Sequence, residues 1–552
     1  MKNADIKDNL DKLSLQINKV INQEALPLYN DMLNIVQTMY RENIQLKLDY
    51  QNAKDEINKL KGEQGKPQIR PQSPNKENQD HSSEKNRKRN NDNKDKKPKM
   101  KKQETVSIDE KIECKVDVNT LPKDAVFKGY SKRIVQDIAI NTHNIELLLE
   151  TYYSPSQNKT YTAEKPKWYN GEFGVSLKAL IISCYRVYGM TVSAIDSFCK
   201  TFGIYIAQSS ISRILTENHD VWHQEKQDIV KAGLRSTPYQ HIDDTGCKEH
   251  GKNQYTHIIG NLHYSAYFTK PRKDRLTLLK TLSIEELKYQ MNKFSYALME
   301  LLGVAKKHIK AVKGICRKKI MSEKEFDDFL GLLFPDKNKN KKTQAKIKEA
   351  AALVDYYKNA YSIKYLMCDD APQFEKIAKF KCLCWIHEGR HYKKLIPVFT
   401  THKDLLDEFI NKFWIYYHKL LDYKISPSAE LAQELSEEFD SLFATKTGYE
   451  ELDERITLTA AKKESLLLVL SYPFLPIENN LAELAARVQA RIRDVNLHTM
   501  SESGTKAKDT FATIVQTAKK LNVNIYQYLY DRISQSFNMT SLADLITIRS
   551  SP

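Results

Sequence analysis

Apolar residues return at every seventh position through Met32, Met39, Leu46, Ala53 and Leu60. A second series, Val36, Asn43, Tyr50 and Ile57, follows four residues behind. Gln, Lys, Asp and Glu fill the places between, which makes an a/d seam of about four heptads. A lone helix gains nothing from such a stripe. It predicts a self-associating N-terminal coiled coil over 1–62, with packing on its own chain as the alternative reading, and Asn43 would fix the register at some cost in stability. The periodicity stops between Gly62 and Ser107. Lys85–Lys102 alone holds ten Lys/Arg against two Asp, so 63–107 reads as a basic disordered linker, either merely solvated or gripping phosphates without reading sequence.

Ala125–Tyr130, Arg133–Ala139 and Asn144–Tyr153 have the composition of short strands, and Ser154-Pro155-Ser156 marks a turn. A small β-rich module is expected over 108–165. Helical spacing then returns in Leu177, Leu180, Ile181 and Cys184, and again in Val192, Ile195, Phe198 and Cys199. After the turn at Phe202-Gly203-Ile204, Ser209–Leu215 starts a third helix. This pattern suits a helix-turn-helix DNA-binding domain over 166–235, although any three-helix bundle produces it. Gln208, Ser209, Ser212 and Arg213 would face DNA while Ile211 and Leu215 pack inward.

Beyond residue 236 the pattern becomes mixed. Tyr239–Gly246 reads as a strand ending in Asp243-Asp244, and Gln254–Asn261 and Tyr264–Lys270 continue as a meander. Lys273–Leu282 is helical. Ile363–Asp370 is another strand ending in two aspartates, Asp369-Asp370. Ala371–Lys379 resembles a helix and Lys381–His387 a final strand. That order fits a ribonuclease-H-like mixed α/β catalytic core over 236–500, in which the first and fourth strands are neighbours and their terminal carboxylates meet. Successive strand residues point to opposite faces, so only one Asp of each pair can be a primary ligand. Mg²⁺ takes oxygen ligands, commonly one or two carboxylates plus phosphate oxygens. Two ions want a third acid, which Glu483 offers in a helix opened by Pro476 and Asn479-Asn480 and running through Arg493. Long amphipathic helices between Lys403 and Tyr472 form an insertion before it.

Charge and composition narrow the partners. The 552 residues carry 86 Lys+Arg against 70 Asp+Glu, a net +16 with pI near 9.1. That excess favours an acidic polymer, nucleic acid first. With 41% hydrophobic residues, a mean hydropathy of −0.58 and no long apolar run, no membrane role is expected. The polar N-terminus predicts a cytoplasmic protein, and eight scattered cysteines read as reduced thiols.

The string from Leu475 to Arg487 resembles the C-terminal signature of insertion-sequence-66 family DDE transposases: proline, an acid, two asparagines, two small residues, glutamate, then arginine. Ile242-Asp243-Asp244-Thr245 is similar to the family's first motif, and Cys384-Trp385-Ile386-His387 with Arg390 to the segment after its second aspartate. Thr517–Asn522 with Tyr526–Leu529 resembles its closing helical segment, within a C-terminal helical stretch at 501–552. The resemblance implies a multidomain α+β enzyme that cleaves element ends and joins them to target DNA. It implies a catalytic and metal-binding triad of Asp243, Asp369 and Glu483 holding two Mg²⁺ ions, with Mn²⁺ as a substitute. Asp244, Asp370, His387, Arg390 and Arg487 would be outer partners or phosphate contacts, and the terminal repeats and target DNA the substrates of a nucleoid-associated homo-oligomer. The chain departs from the pattern at Leu484, where arginine is usual, and lacks the family's zinc-binding cysteine cluster, as a divergent branch would. It also has room for a helical insertion at 283–360, opened by a capping box at Ser283 and Glu286 and carrying a basic loop at Asp336–Lys348.

The simpler readings are strand-end turns for both Asp pairs, an ion pair with Arg487 for Glu483, and Glu478 as the competing ligand. Cys382, Cys384, His387 and His391 could suggest zinc, but packing accounts better for the cysteines. The competing functions are an inactive, domesticated DNA-binding protein and a ribonuclease-H-like nuclease that cuts without joining.

Overall fold

The computed structural model describes residues 3–60, 107–117, 122, 125–138, 140–165, 171–316, 318–336 and 340–551. All but the last residue of the expected basic linker lies outside them. The chain opens with α1 (Asn3–Asn18) and α2 (Leu26–Leu60). On α2, Tyr29 and Leu33, with Val36 and Tyr40 beside them, cluster against Val398 and Phe399 of the same chain. Gln37 clasps that loop: its Nε2 donates to the Ile396 carbonyl at 2.9 Å and its Oε1 accepts from Val398 N at 2.8 Å. Most of the heptad face lies elsewhere on the helix, and Met39, Leu46, Tyr50 and Ile57 stand exposed.

Of the strands expected in 108–165, only a hairpin pairs, β1 (Thr151–Ser154) with β2 (Lys159–Thr162). The described residues of 125–130 and 133–139 form no ladder. Val126, Phe127, Val135 and Ile138 there are exposed, so no covering layer rewards their strand-like composition.

Four helices follow: α3 (Val175–Arg186), α4 (Val192–Thr201), α5 (Gln208–Thr216) and α6 (Asp220–Arg235). Thr191 caps α4 by accepting from Ala194 N at 3.1 Å. Gly203, at φ +71°, makes the left-handed turn into α5. Ile211 and Leu215 are buried, whereas Gln208, Ser209, Ser212 and Arg213 are exposed.

The central sheet begins with β3 (Tyr239–Glu249), β4 (Lys252–Gly260) and β5 (Ser265–Lys270). After α7 (Arg275–Leu282) the insertion holds β6 (Tyr289–Gln290), α8 (Lys293–Leu301), α9 (Lys306–Ile315), β7 (Ile320–Met321), α10 (Glu323–Leu333) and α11 (Lys341–Tyr356). Ser283 opens no helix. It ends α7, its N–H bonding the Leu279 carbonyl at 2.9 Å. The capping boxes lie instead at Asn292/Ser295 and Ser322/Glu325. Lys341–Lys348, expected in a basic loop, are the first turns of α11.

The sheet is completed by β8 (Tyr365–Cys368) and β9 (Phe380–Leu383), in the order β5-β4-β3-β8-β9. The first three strands are antiparallel; β8 runs parallel to both β3 and β9. The expected helix at 371–379 is only a 3-10 turn, Pro372–Phe374. The expected strand to His387 stops at Leu383, because α12 (Trp385–Lys393) begins there: the fully buried Trp385 donates its backbone N–H to Ile477 and its indole N–H to Leu466.

Helices α13 (Thr400–Ile425), α14 (Ala429–Phe443), α15 (Glu450–Ala460), α16 (Lys463–Leu466) and α17 (Leu468–Ser471) form the second insertion. The chain closes with α18 (Asn480–Asn496), α19 (Glu502–Lys520), α20 (Ile525–Ile533) and α21 (Leu542–Ser550). Alternation along β8 divides the core. Leu366 and Cys368 join the helices of the N-terminal bundle and first insertion, while Tyr365 and Met367 join Trp385, Phe413 and the second insertion. Both faces are therefore covered, which is why β8 reads as an unbroken apolar run. Among the described residues no helix is long and apolar enough to cross a membrane.

Candidate functional site

The parallel register pairs Tyr239 with Tyr365 and His241 with Met367. β8 ends at Cys368, and Asp369 just beyond it lies close enough to Asp243 for its charge to raise that carboxyl. Glu483 reaches the same place from the first turn of α18 and is 7% exposed. Burial lifts the Asp243 carboxyl to about 7, and the charges of Asp369, Glu483 and Asp244 add to the lift, while the Asp244 N–H opposes it at 2.8 Å. Asp369 accepts from Ala371 N at 3.1 Å.

The strand alternation separates each aspartate from its neighbour. Asp244 faces His257, whose Nδ1 lies 2.5 Å from its Oδ1, and accepts from Gln373 Nε2 at 2.9 Å. Asp370 turns to Lys381 and Lys462, at 2.9 and 2.8 Å. Lys462 also reaches the buried Glu388, which pairs with Arg455. Asp370 thus belongs to the ion network under the second insertion. Glu478, the competing ligand, accepts from Tyr417 Oη at 3.3 Å.

His387 and Arg390 lie one helical turn apart on α12, not on a strand, and both turn toward Glu483. Arg390 Nη2 donates to Glu483 Oε2 at 2.7 Å, and Nη1 approaches His387 Nε2 at 3.2 Å. His387 Nδ1 stands 3.6 Å from Glu483 Oε1, and neither atom has a hydrogen-bond partner. Burial pulls the His387 imidazole down, opposed by the Glu483 charge. Arg487 lies exposed one turn farther along α18.

Among the described residues, Cys384, His387 and Glu483 bring possible ligand atoms within 4.8 Å of one another. Burial pushes the Cys384 thiol up to about 12, and its sulfur accepts from Asn479 N at 3.1 Å. A protonated thiol bonded in this way is a poor ligand, which leaves Glu483 with the carboxylates. Carboxylates suit a hard divalent ion: the charges of Asp369 and Glu483 raise the Asp243 carboxyl and one buried Glu483 oxygen has no donor, although these three acids do not bring their oxygens within 4.8 Å of one another.

The role of Asn479 is not apparent from the sequence. Fully buried, it makes no side-chain cap for α18; its Oδ1 accepts from His241 Nδ1 at 2.9 Å and its Nδ2 donates to the Ile242 carbonyl at 2.8 Å. Only the pairing of two asparagines before Glu483 marked the place, and it read as a helix start.

Residues 338–507 match the family model described as Transposase IS66 family. This stretch contains Asp369, His387, Arg390 and Glu483; Asp243 precedes it. An uncharacterized protein, y4jO, of Sinorhizobium fredii (strain NBRC 101917 / NGR234) is 26% identical over 305 residues, covering 55% of this chain and 94% of the relative.

Proposed function

We propose that the protein is a DNA transposase that cuts insertion-element ends and joins them to target DNA, with Asp243, Asp369 and Glu483 as its catalytic carboxylates. The observation that carries the reading is that Asp243 within β3, Asp369 just past the end of β8 and Glu483 in the first turn of α18 lie close enough for their charges to raise the Asp243 carboxyl. The sheet order supports a ribonuclease-H-like core. The three acids would hold divalent magnesium, with manganese as a substitute. Bound there as a pair, the ions would polarise the attacking and leaving oxygens of an in-line phosphoryl displacement. Arg390 steadies Glu483 through Oε2 and leaves Oε1 for the ion. The exposed side of α5, with Gln208, Ser209, Ser212 and Arg213, would dock element ends, and the exposed heptad face of α2 would join two copies.

The test is incubation of labelled element ends and target duplex with Mg²⁺. Nicks and strand-transfer products are expected, and Asp369→Asn removes both while duplex binding persists. Binding without nicking by the wild type would mean an inactive DNA-binding protein, and nicking without joining a nuclease. Unchanged nicking by the variant would show that the second carboxylate is misassigned.

A further inference from the structure

A small cleft, open to solvent and with a cavity volume of about 30 Å³, lies where the C-terminal half of α18 meets the β3–β4 hairpin and the end of α3. Four cations line it, Arg186, Lys248, Arg493 and Lys508, and no lining residue is acidic. Arg493 donates to the Gly246 carbonyl and so fastens α18 to β3. Lys508 is only 8% exposed and has no hydrogen-bond or ion-pair partner among the described residues. Arg186 is held between rings, its guanidinium 4.7 Å from Tyr185 and 5.7 Å from Phe511.

The cleft lacks acceptors rather than donors. Arg186 Nε, Gln489 Nε2 and Asn496 Nδ2 are buried without a hydrogen-bond partner, and Gln489 is 5% exposed. Two amide donors, on Gln489 and Asn496, beside four cations, one of which (Arg186) has an unmet donor of its own, call for a ligand rich in oxygen and negative charge. Arg186 already feels the Asp509 charge and reaches the Leu215 carbonyl at 3.3 Å, but water would bring no charge to Lys248 and Lys508.

We infer that this cleft is a phosphate pocket, gripping the backbone of the DNA strand whose neighbouring phosphodiester lies at the acidic cluster. The inference rests on the proposed function for the identity of the polymer. Two independent measures place the pocket. Gln489 is six residues past Glu483 on one helix, about 9 Å at 1.5 Å per residue. Gly246 is three residues past Asp243 on one strand, about 10 Å at 3.3 Å per residue. At 3.4 Å of axis per nucleotide, that is about three nucleotides from the reacting phosphate. The acid cluster repels DNA at the point of cutting, and the pocket supplies the attraction a few nucleotides away. Its donors meet only phosphate oxygens, so it reads no sequence.

The test is fluorescence anisotropy of the full chain on an element-end duplex and on a scrambled one, across a salt series. Lys508→Gln and, separately, Lys248→Gln are the variants; Lys248 is exposed, so its replacement leaves the fold intact. Each should weaken both duplexes alike, several-fold, and reduce the slope of log affinity against log salt by about 0.9. Unchanged affinity and slope in both variants would overturn the pocket. The two readings fail separately. If the wild type never nicks but the slopes still fall, the pocket stands and the transposase reading does not. If it nicks and the slopes hold, only the pocket is lost.

Discussion

Asn479 joins the helix of the third carboxylate to the strand of the first: it accepts from His241 Nδ1 at 2.9 Å and donates to the Ile242 carbonyl at 2.8 Å. Ile242 directly precedes Asp243, so this clasp sets how closely Glu483 approaches it. Asn479→Ala would strand two buried polar groups at about 1–3 kcal/mol each. Urea unfolding should show a loss of about 2–5 kcal/mol, and cleavage should fall in the fraction that stays folded. A loss under ~0.5 kcal/mol would mean the clasp is not formed in solution.

Arg390 acts on Glu483 alone among the acids, through the 2.7 Å contact. Arg390→Ala is expected to lower cleavage about 10- to 100-fold, the scale seen when a ligand's outer partner is lost, with Arg390→Lys restoring part of it. Full activity in the alanine variant would assign Arg390 to packing.

Without a cation, the three carboxylates oppose one another at Asp243. Removing that charge by Asp243→Asn should raise the melting temperature of the chelator-treated protein. Adding Mg²⁺ should stabilise the wild type, by about 2.7 kcal/mol at a hundredfold excess over Kd, and not the variant. A Mg²⁺ response retained by Asp243→Asn would remove Asp243 from the ligand set.

Burial holds both His402 and His219 down at about 4. His402 lies flat against Tyr449, ring centroids 4.3 Å apart, with both ring nitrogens unpartnered. In the unfolded chain each histidine takes its proton near 6.5. Between pH 6.5 and 4 the unfolded state therefore binds more protons, and stability falls on acidification by at most about 1.4 kcal/mol per pH unit for each histidine. His402→Phe should flatten the slope of unfolding free energy against pH by up to one proton. An unaltered slope would mean that the imidazole is already charged in the folded state.

Replacing Leu46 and Ile57 by glutamate leaves the packed residues Tyr29 and Leu33 untouched. The pair of substitutions is expected to reduce the mass seen by light scattering to that of a single chain. Leu33→Glu should instead loosen α2 from Val398 and Phe399. If the double variant keeps the wild-type mass, α2 does not join copies.

Adjacency of the first and fourth strands followed from element order, but the first strand was expected to end at Asp243-Asp244, whereas pairing with β4 carries it on to Glu249. What lay beyond local pattern was partner choice. Nothing near Gln37 in sequence announces Ile396 and Val398, and these contacts decide which face of α2 is buried. The described residues of 125–138 show the converse, with strand-like side chains that stand exposed and form no ladder. Cys384 ends β9 early because Trp385 finds its partners at Leu466 and Ile477, some eighty to ninety positions away.

Helix α2 is 35 residues long, about 52 Å from end to end. Its first half is pinned to the body that holds the acids. A second copy gripping the outer half would inherit that rigidity, and the helix would act as a caliper. The separation of two paired incisions would then be dictated by a fixed length of protein, whatever the bend or sequence of the intervening duplex.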